Sequence, residues 1–243
     1  MRVLSTVKYT ALRMARSYIV LLLLLVVPIV LLTIFSFILS GSVTETGEPY
    51  MFQTGLIQVL CFQLFGGSLV MHLIHNDLLA ANKPRMSVVP FNKTMYAFSL
   101  VMCGTVFSIV LGVILMAYTQ FVLGLVWDNW PWMIYIVSLM AVLSSIVCLI
   151  FTFSVKNHKL AERLSEVYGV GFIVLAGLFF PLPRNAFFDF MSSYGNPLGL
   201  STGAIIEMSR SNPGEAWLQA NILLAAICVL FIVMVIAGRR RLA

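Results

Sequence analysis

The sequence predicts an all-α, polytopic integral membrane protein. We expect six transmembrane helices, an N-terminal interfacial amphipathic helix and two short outer-leaflet helices between spans five and six, all within a single transmembrane domain, residues 1–243. Three observations carry this expectation. Hydrophobic residues make up 60% of the chain and charged residues only 10%, far below the roughly 25% of soluble proteins. The mean hydropathy is +1.00. The apolar residues gather into long charge-free windows, near the ~20 residues a helix needs to cross a bilayer. The longest polar interval is about 35 residues, below the ~50 of a small domain, so no soluble catalytic domain fits inside it.

Residues 1–17 are basic, and amphipathic if helical. Val3, Val7, Ala11, Met14 and Tyr18 share one face, with Arg2, Arg13 and Arg16 opposite. That pattern suits a helix in the headgroup layer, apolar side down; a basic flank that only sets orientation is the alternative. The first span covers 18–39, whose 22 residues exceed the roughly 7–15-residue core of a cleaved signal peptide. Pro28, at its middle, removes a backbone donor and bends the helix. Residues 40–50 form a turn-rich loop with Glu45 and Glu48. Span two, 54–74, carries Gln58, Gln63 and the pair Gly66-Gly67. These let a neighbouring helix approach closely and offer it amide hydrogen bonds.

Residues 72–98 form the long polar interruption in the first half of the chain. Asp77, Lys83, Arg85 and Lys93 cluster there, Pro84 and Pro90 punctuate it, and 72–79 reads as the tail of a helix carried past the membrane surface. We read this stretch as a docking loop. Span three, 96–120, opens a charge-free run that continues to Val126, so tilt or overhang is expected. Trp127 to Trp132 mark a tight interfacial turn with indoles at headgroup depth. Span four covers 132–154. Residues 161–168 are amphipathic, and the fifth apolar run, 167–182, has only 16 residues. Residues 183–215 alternate apolar clusters with breakers. Two re-entrant half-helices parted at Gly195-Asn196-Pro197 would satisfy the rule that irregular backbone at membrane depth is buried in protein or faces water. The last span is 217–236, followed by Arg239, Arg240 and Arg241.

Charge sets the orientation. Of the fifteen lysines and arginines, all but Arg184 and Arg210 lie in the terminal tails or in the segments after spans two and four. The positive-inside rule then places both termini in the cytoplasm, with an even number of spans in the plasma (cytoplasmic) membrane.

No catalytic pattern is present: there is no GxxxxGK[ST], GxSxG or HExxH, so no enzyme is expected. Cys61, Cys103, Cys148 and Cys228 each stand alone in a different apolar run and read as small buried side chains. His72 and His75 share a helical face, a spacing compatible with a metal. Two ligands do not make a site, and Asp77 lies on another face, so they read as interfacial histidines and no metal or cofactor is expected on this chain. The spans lack ionisable residues, which disfavours an ion-driven carrier; energy must come from elsewhere. Nothing calls for nucleic acid. Gln58, Gln63 and Asn221, in an otherwise apolar wall, are candidates for a translocation path suited to an amphipathic or hydrophobic substrate such as a peptide, lipid or drug.

The order of these parts resembles the six-helix membrane subunit of a type-2 ABC transporter permease. The local matches are Asp77 through Pro90, an acidic residue followed by a Val-Pro element ahead of span three, and residues 176–208. In the latter, Gly177, Phe180, Pro181, Pro183, Asn196 and Pro197 fall where that family leaves span five and joins two short outer helices. The chain departs from the family in having Asn76-Asp77 where many relatives have Glu-Arg, and in a more polar segment between spans four and five. The resemblance implies an exporter half that pairs with a second permease copy or paralogue and with separate nucleotide-binding ATPase subunits, which use ATP and Mg. It makes Asp77, Lys83, Arg85 and Pro90 the ATPase-coupling residues and Pro181, Pro183, Asn196 and Pro197 an outer gate. A membrane-embedded sensor or immunity protein, binding a membrane-active peptide through Phe187, Phe188, Phe190 and Tyr194 without moving it, is the alternative.

Overall fold

The structure, a computed structural model, describes residues 9–14, 16, 21–39, 41, 50–79, 93–177, 183 and 185–242. Among them every regular element is helical. Lys83, Arg85, Pro90 and Pro181 lie outside the described residues.

Residues 9–14 form a short helical segment. Its apolar face packs on protein: Met14 is fully buried beside Leu69, Leu73 and Cys103, with Ala11 against the same cluster. Of the face expected to lie down in the headgroup layer, the described residues Ala11 and Met14 meet protein. Helix α1, Leu22–Ile38, begins with a π-helical turn over Leu22–Val26. Pro28 follows immediately; its ring and missing N–H disturb the preceding turn, and one extra residue in that turn accommodates them. Thr33 of this helix and Tyr118 place their hydroxyls 2.6 Å apart.

Helix α2, Tyr50–Leu79, is interrupted at Gly66 and ends in a second π-helical turn, His75–Leu79. Helix α3, Lys93–Phe121, is continuous. The charge-free run beyond it folds into a turn at Gly124, whose φ of +71° suits a residue without Cβ. In this turn the indoles bond to protein. Trp127 donates to Thr119 at 3.0 Å and Trp130 to Gln120 at 2.6 Å, while Trp132 donates to the Ala204 carbonyl at 3.0 Å. Trp127 and Trp132 are buried, so they fasten this turn to the bundle.

Asn129 starts α4, Trp130–Ser154, by accepting from the Trp132 N–H, with Pro131 in the first turn, the arrangement favoured at helix N-termini. Helix α4 packs against α2, α3, α5 (His158–Leu175), α7 (Pro197–Ser209) and α8 (Pro213–Leu242). Between α5 and α7 lies the short α6, Ala186–Ser193.

Four helices are long and apolar enough to cross a membrane: Tyr50–Leu79, Met95–Phe121, Trp130–Ser154 and Pro213–Arg241. Helix α1 is apolar but shorter. The amphipathic stretch and the start of the expected fifth span form one helix, α5, whose first half carries Lys159, Glu162, Arg163 and Glu166. The described helices therefore supply four spans by length and composition where six were expected. Burial is uneven: the apolar window of α2 is 78% buried and that of α8 only 22%.

Candidate functional site

The most engaged polar groups lie along α2. At Gly66 the backbone ladder is interrupted, and Ser144 of α4 repairs it. Its hydroxyl accepts from the Gly67 N–H at 2.9 Å and donates to the Leu64 carbonyl at 2.5 Å. Only glycine permits this. A Cβ on Gly67 would sit 2.3 Å from the Ser144 carbonyl oxygen, and one on Gly66 would overlap the Ser108 hydroxyl. On α3, Gly104, Ser108 and Gly112 recur every four residues, the spacing of closely packed membrane helices. Ser108 donates to Gln63 Oε1 at 3.1 Å, and Thr105 donates to Ser145 at 3.0 Å. Helices α2, α3 and α4 thus meet at a joint of small residues whose polar groups satisfy one another.

One end of α2 carries a charged clasp. Asp77 is 2% exposed, with Arg13 Nη1 at 2.9 Å from each of its carboxylate oxygens and the Tyr96 hydroxyl donating to Oδ2 at 2.9 Å. It lies within the π-helical turn. An inserted residue rotates the helix face that follows, and here it turns a carboxylate inward. The clasp ties the N-terminal segment, α2 and α3 together beside the chain's long polar stretch.

At the same end, α3, α4 and α8 enclose a groove of about 530 Å³. Its walls are apolar, including Phe98, Met102, Leu149 and Phe231, with Thr105 and Ser145 as polar points and Arg239 at its margin. That composition fits an amphipathic molecule with an apolar body and an acidic or hydrogen-bonding head.

At the other end of the molecule, α6 and α7 are separate helices joined through Gly195 and Asn196. Asn196 is fully buried. Its Oδ1 accepts from the Leu198 N–H at 2.9 Å, capping α7, and its Nδ2 donates to the Phe172 carbonyl near the end of α5 at 2.7 Å. Pro197 occupies the first turn of α7. Leu198, Leu200, Ala204 and Ile205 bury α7 in the bundle. Pro183 is exposed.

Gln58, Gln63 and Asn221 do not converge. Gln63 faces Ser108 within the joint. Gln58 is buried with Oε1 lacking a hydrogen-bond partner among the described residues, and Asn221 is exposed on α8. Sequence reasoning missed Arg13 as the partner of Asp77, together with Tyr96, Ser108, Ser144 and the groove residues Thr105, Ser145 and Arg239. Only Ser144-Ser145, a hydroxyl pair inside an apolar run, gave a readable signal.

No protein-family model matches the chain, and no curated protein sequence matches it. Fold and composition define a class: an all-helical protein whose four long apolar helices are suited to crossing a membrane.

Proposed function

We propose that the chain is the membrane-spanning permease subunit of an ATP-driven ABC exporter, with six spans and both termini in the cytoplasm of the cell that makes it. In this reading it forms the path for an amphipathic or hydrophobic substrate and works with a second permease copy or paralogue and separate ATPase subunits. The observation that carries the reading is the Asp77 clasp beside the apolar groove. A force applied to the polar stretch after α2 passes through Asp77, Arg13 and Tyr96 into α2 and α3, and α3 forms one wall of the groove. The glycine joint halfway along α2 gives that lever a place to bend. The long apolar helices carry Asp, Glu, Arg and His only near their ends, as with His72, His75 and Asp77 in α2; with no such group in their middles there is no proton relay across them, which favours an external motor. Lys83, Arg85 and Pro90 supply the docking contacts, while Asp77, being buried, transmits force rather than meeting the partner.

The test is co-expression with nucleotide-binding ATPase subunits from the same genome, followed by purification and reconstitution. The ATPase is expected to co-purify, and Arg85→Glu to abolish export while leaving the bundle folded. Absence of a bound ATPase, or undiminished export by the variant, refutes the proposal.

A second reading, a sensor or immunity protein that binds a membrane-active peptide, is favoured by α6, where Phe187 and Phe190 are 61% and 56% exposed. It predicts resistance that survives loss of the partner's ATP hydrolysis.

A further inference from the structure

All three histidines of the chain come together between α2 and α5. One ligand atom each from His72, His158 and Glu162 lies within 4.8 Å of the other two. The His75 ring stacks flat on that of His158, with centroids 3.7 Å apart and planes 3° from parallel. The Asn76 amide lies 2.9 Å from His72 Nε2, within hydrogen-bond reach of that ring.

The polar atoms here are not satisfied by one another. Nδ1 of His75 and both ring nitrogens of His158 are buried and have no hydrogen-bond partner among the described residues. His158 Nε2 is 3.1 Å from Glu162 Oε1, close but misaligned for a hydrogen bond. Buried imidazole nitrogens are normally paired. Two donor atoms brought close without bonding each other are placed to share a third atom.

We propose that His72, His158 and Glu162 form a binding site for a divalent transition-metal ion of the zinc class. The donor set is that of open zinc sites, two imidazoles and one carboxylate with a fourth position free. Imidazole favours zinc, copper and nickel over magnesium or calcium. Ligand atoms about 2.0–2.2 Å from one ion stand roughly 3.4 Å from each other, so side-chain rotation of about 1 Å closes the site. His72 is exposed and leaves a way in. The ion would tie α5 to the same end of α2 that carries Asp77. The inference is independent of the exporter reading.

The experiment uses the untagged full-length chain in detergent micelles, stripped with a chelator and titrated with Zn2+ by equilibrium dialysis and with Co2+ by visible absorption. One Zn2+ per chain is expected, together with the intense visible bands of four-coordinate Co2+. Outer partners of metal ligands typically contribute about 10–100-fold in affinity, so His158→Ala and Glu162→Gln should each weaken binding at least tenfold. Glu162→Gln is nearly isosteric and half-exposed, so its folding is not in question. Absence of saturable binding, or unchanged affinity in either variant, overturns the proposal.

Discussion

Replacing Gly67 with alanine tests the glycine joint directly. The added Cβ would meet the Ser144 carbonyl oxygen at 2.3 Å, its carbon at 2.5 Å and the Ser145 nitrogen at 2.8 Å. All three are backbone atoms, so no side chain can swing away. Restoring ordinary contact requires α2 and α4 to part by about 1 Å in a close-packed interior. That separation strains or breaks the bond from the Gly67 N–H to Ser144, costing about 0.5–1.5 kcal/mol, and adds overpacking of about 1–3 kcal/mol. Alanine's better helix propensity returns about 1 kcal/mol, which leaves a net loss of about 0.5–3.5 kcal/mol. Gly171 on α5 is the control, since a Cβ there meets nothing within 4 Å and Gly171→Ala should stabilise by up to about 1 kcal/mol. The assay is thermal unfolding in detergent, where each kcal/mol is worth roughly 2–4 °C for a chain of this length. Equal melting temperatures for the two variants would refute the close approach of α2 and α4.

Ser144→Ala removes one hydroxyl that serves two backbone groups, and a loss of about 1–3 kcal/mol is expected in the same assay; Ser138→Ala, where the hydroxyl only bonds back to Ile134, should be near neutral. Asn196→Ala removes the cap of α7 and the link to α5, with an expected cost of about 1–2 kcal/mol, read as earlier proteolysis near α6. Asp77→Asn keeps the shape of the clasp and discards its charge. About 1.5–3 kcal/mol is the value of a hydrogen bond to a charged group, and Arg13 is 46% exposed and can rehydrate, so a melting loss at the lower end of that range is expected.

The elements legible in the sequence are those whose signal is local. Asn196-Pro197 names both a cap and a first-turn proline, and the break between α6 and α7 falls there. Gly66-Gly67 announces a close approach because small residues have no other use in an apolar helix. What escaped depends on distant pairs. Arg13 and Asp77 are 64 residues apart, and nothing in either segment names the other. Asp77 also lies in a π-helical turn, which invalidates a face assignment made at 3.6 residues per turn. The partners of the tryptophans were not legible because an indole donor reads alike whether it meets a headgroup or a carbonyl. The groove was invisible because Thr105, Ser145 and Arg239 arrive from three helices.

The contrast in burial between α2 and α8 has a consequence for how the molecule tolerates change. Helix α2 is the mast of the bundle: it is enclosed on nearly every side and jointed by glycines that admit no larger residue. The last helix is an outrigger, presenting Val229, Ile232 and Ile236 outward. Exchanging one apolar side chain for another on that outward face disturbs little packing, whereas any side chain added at Gly66 or Gly67 meets a neighbouring helix at once.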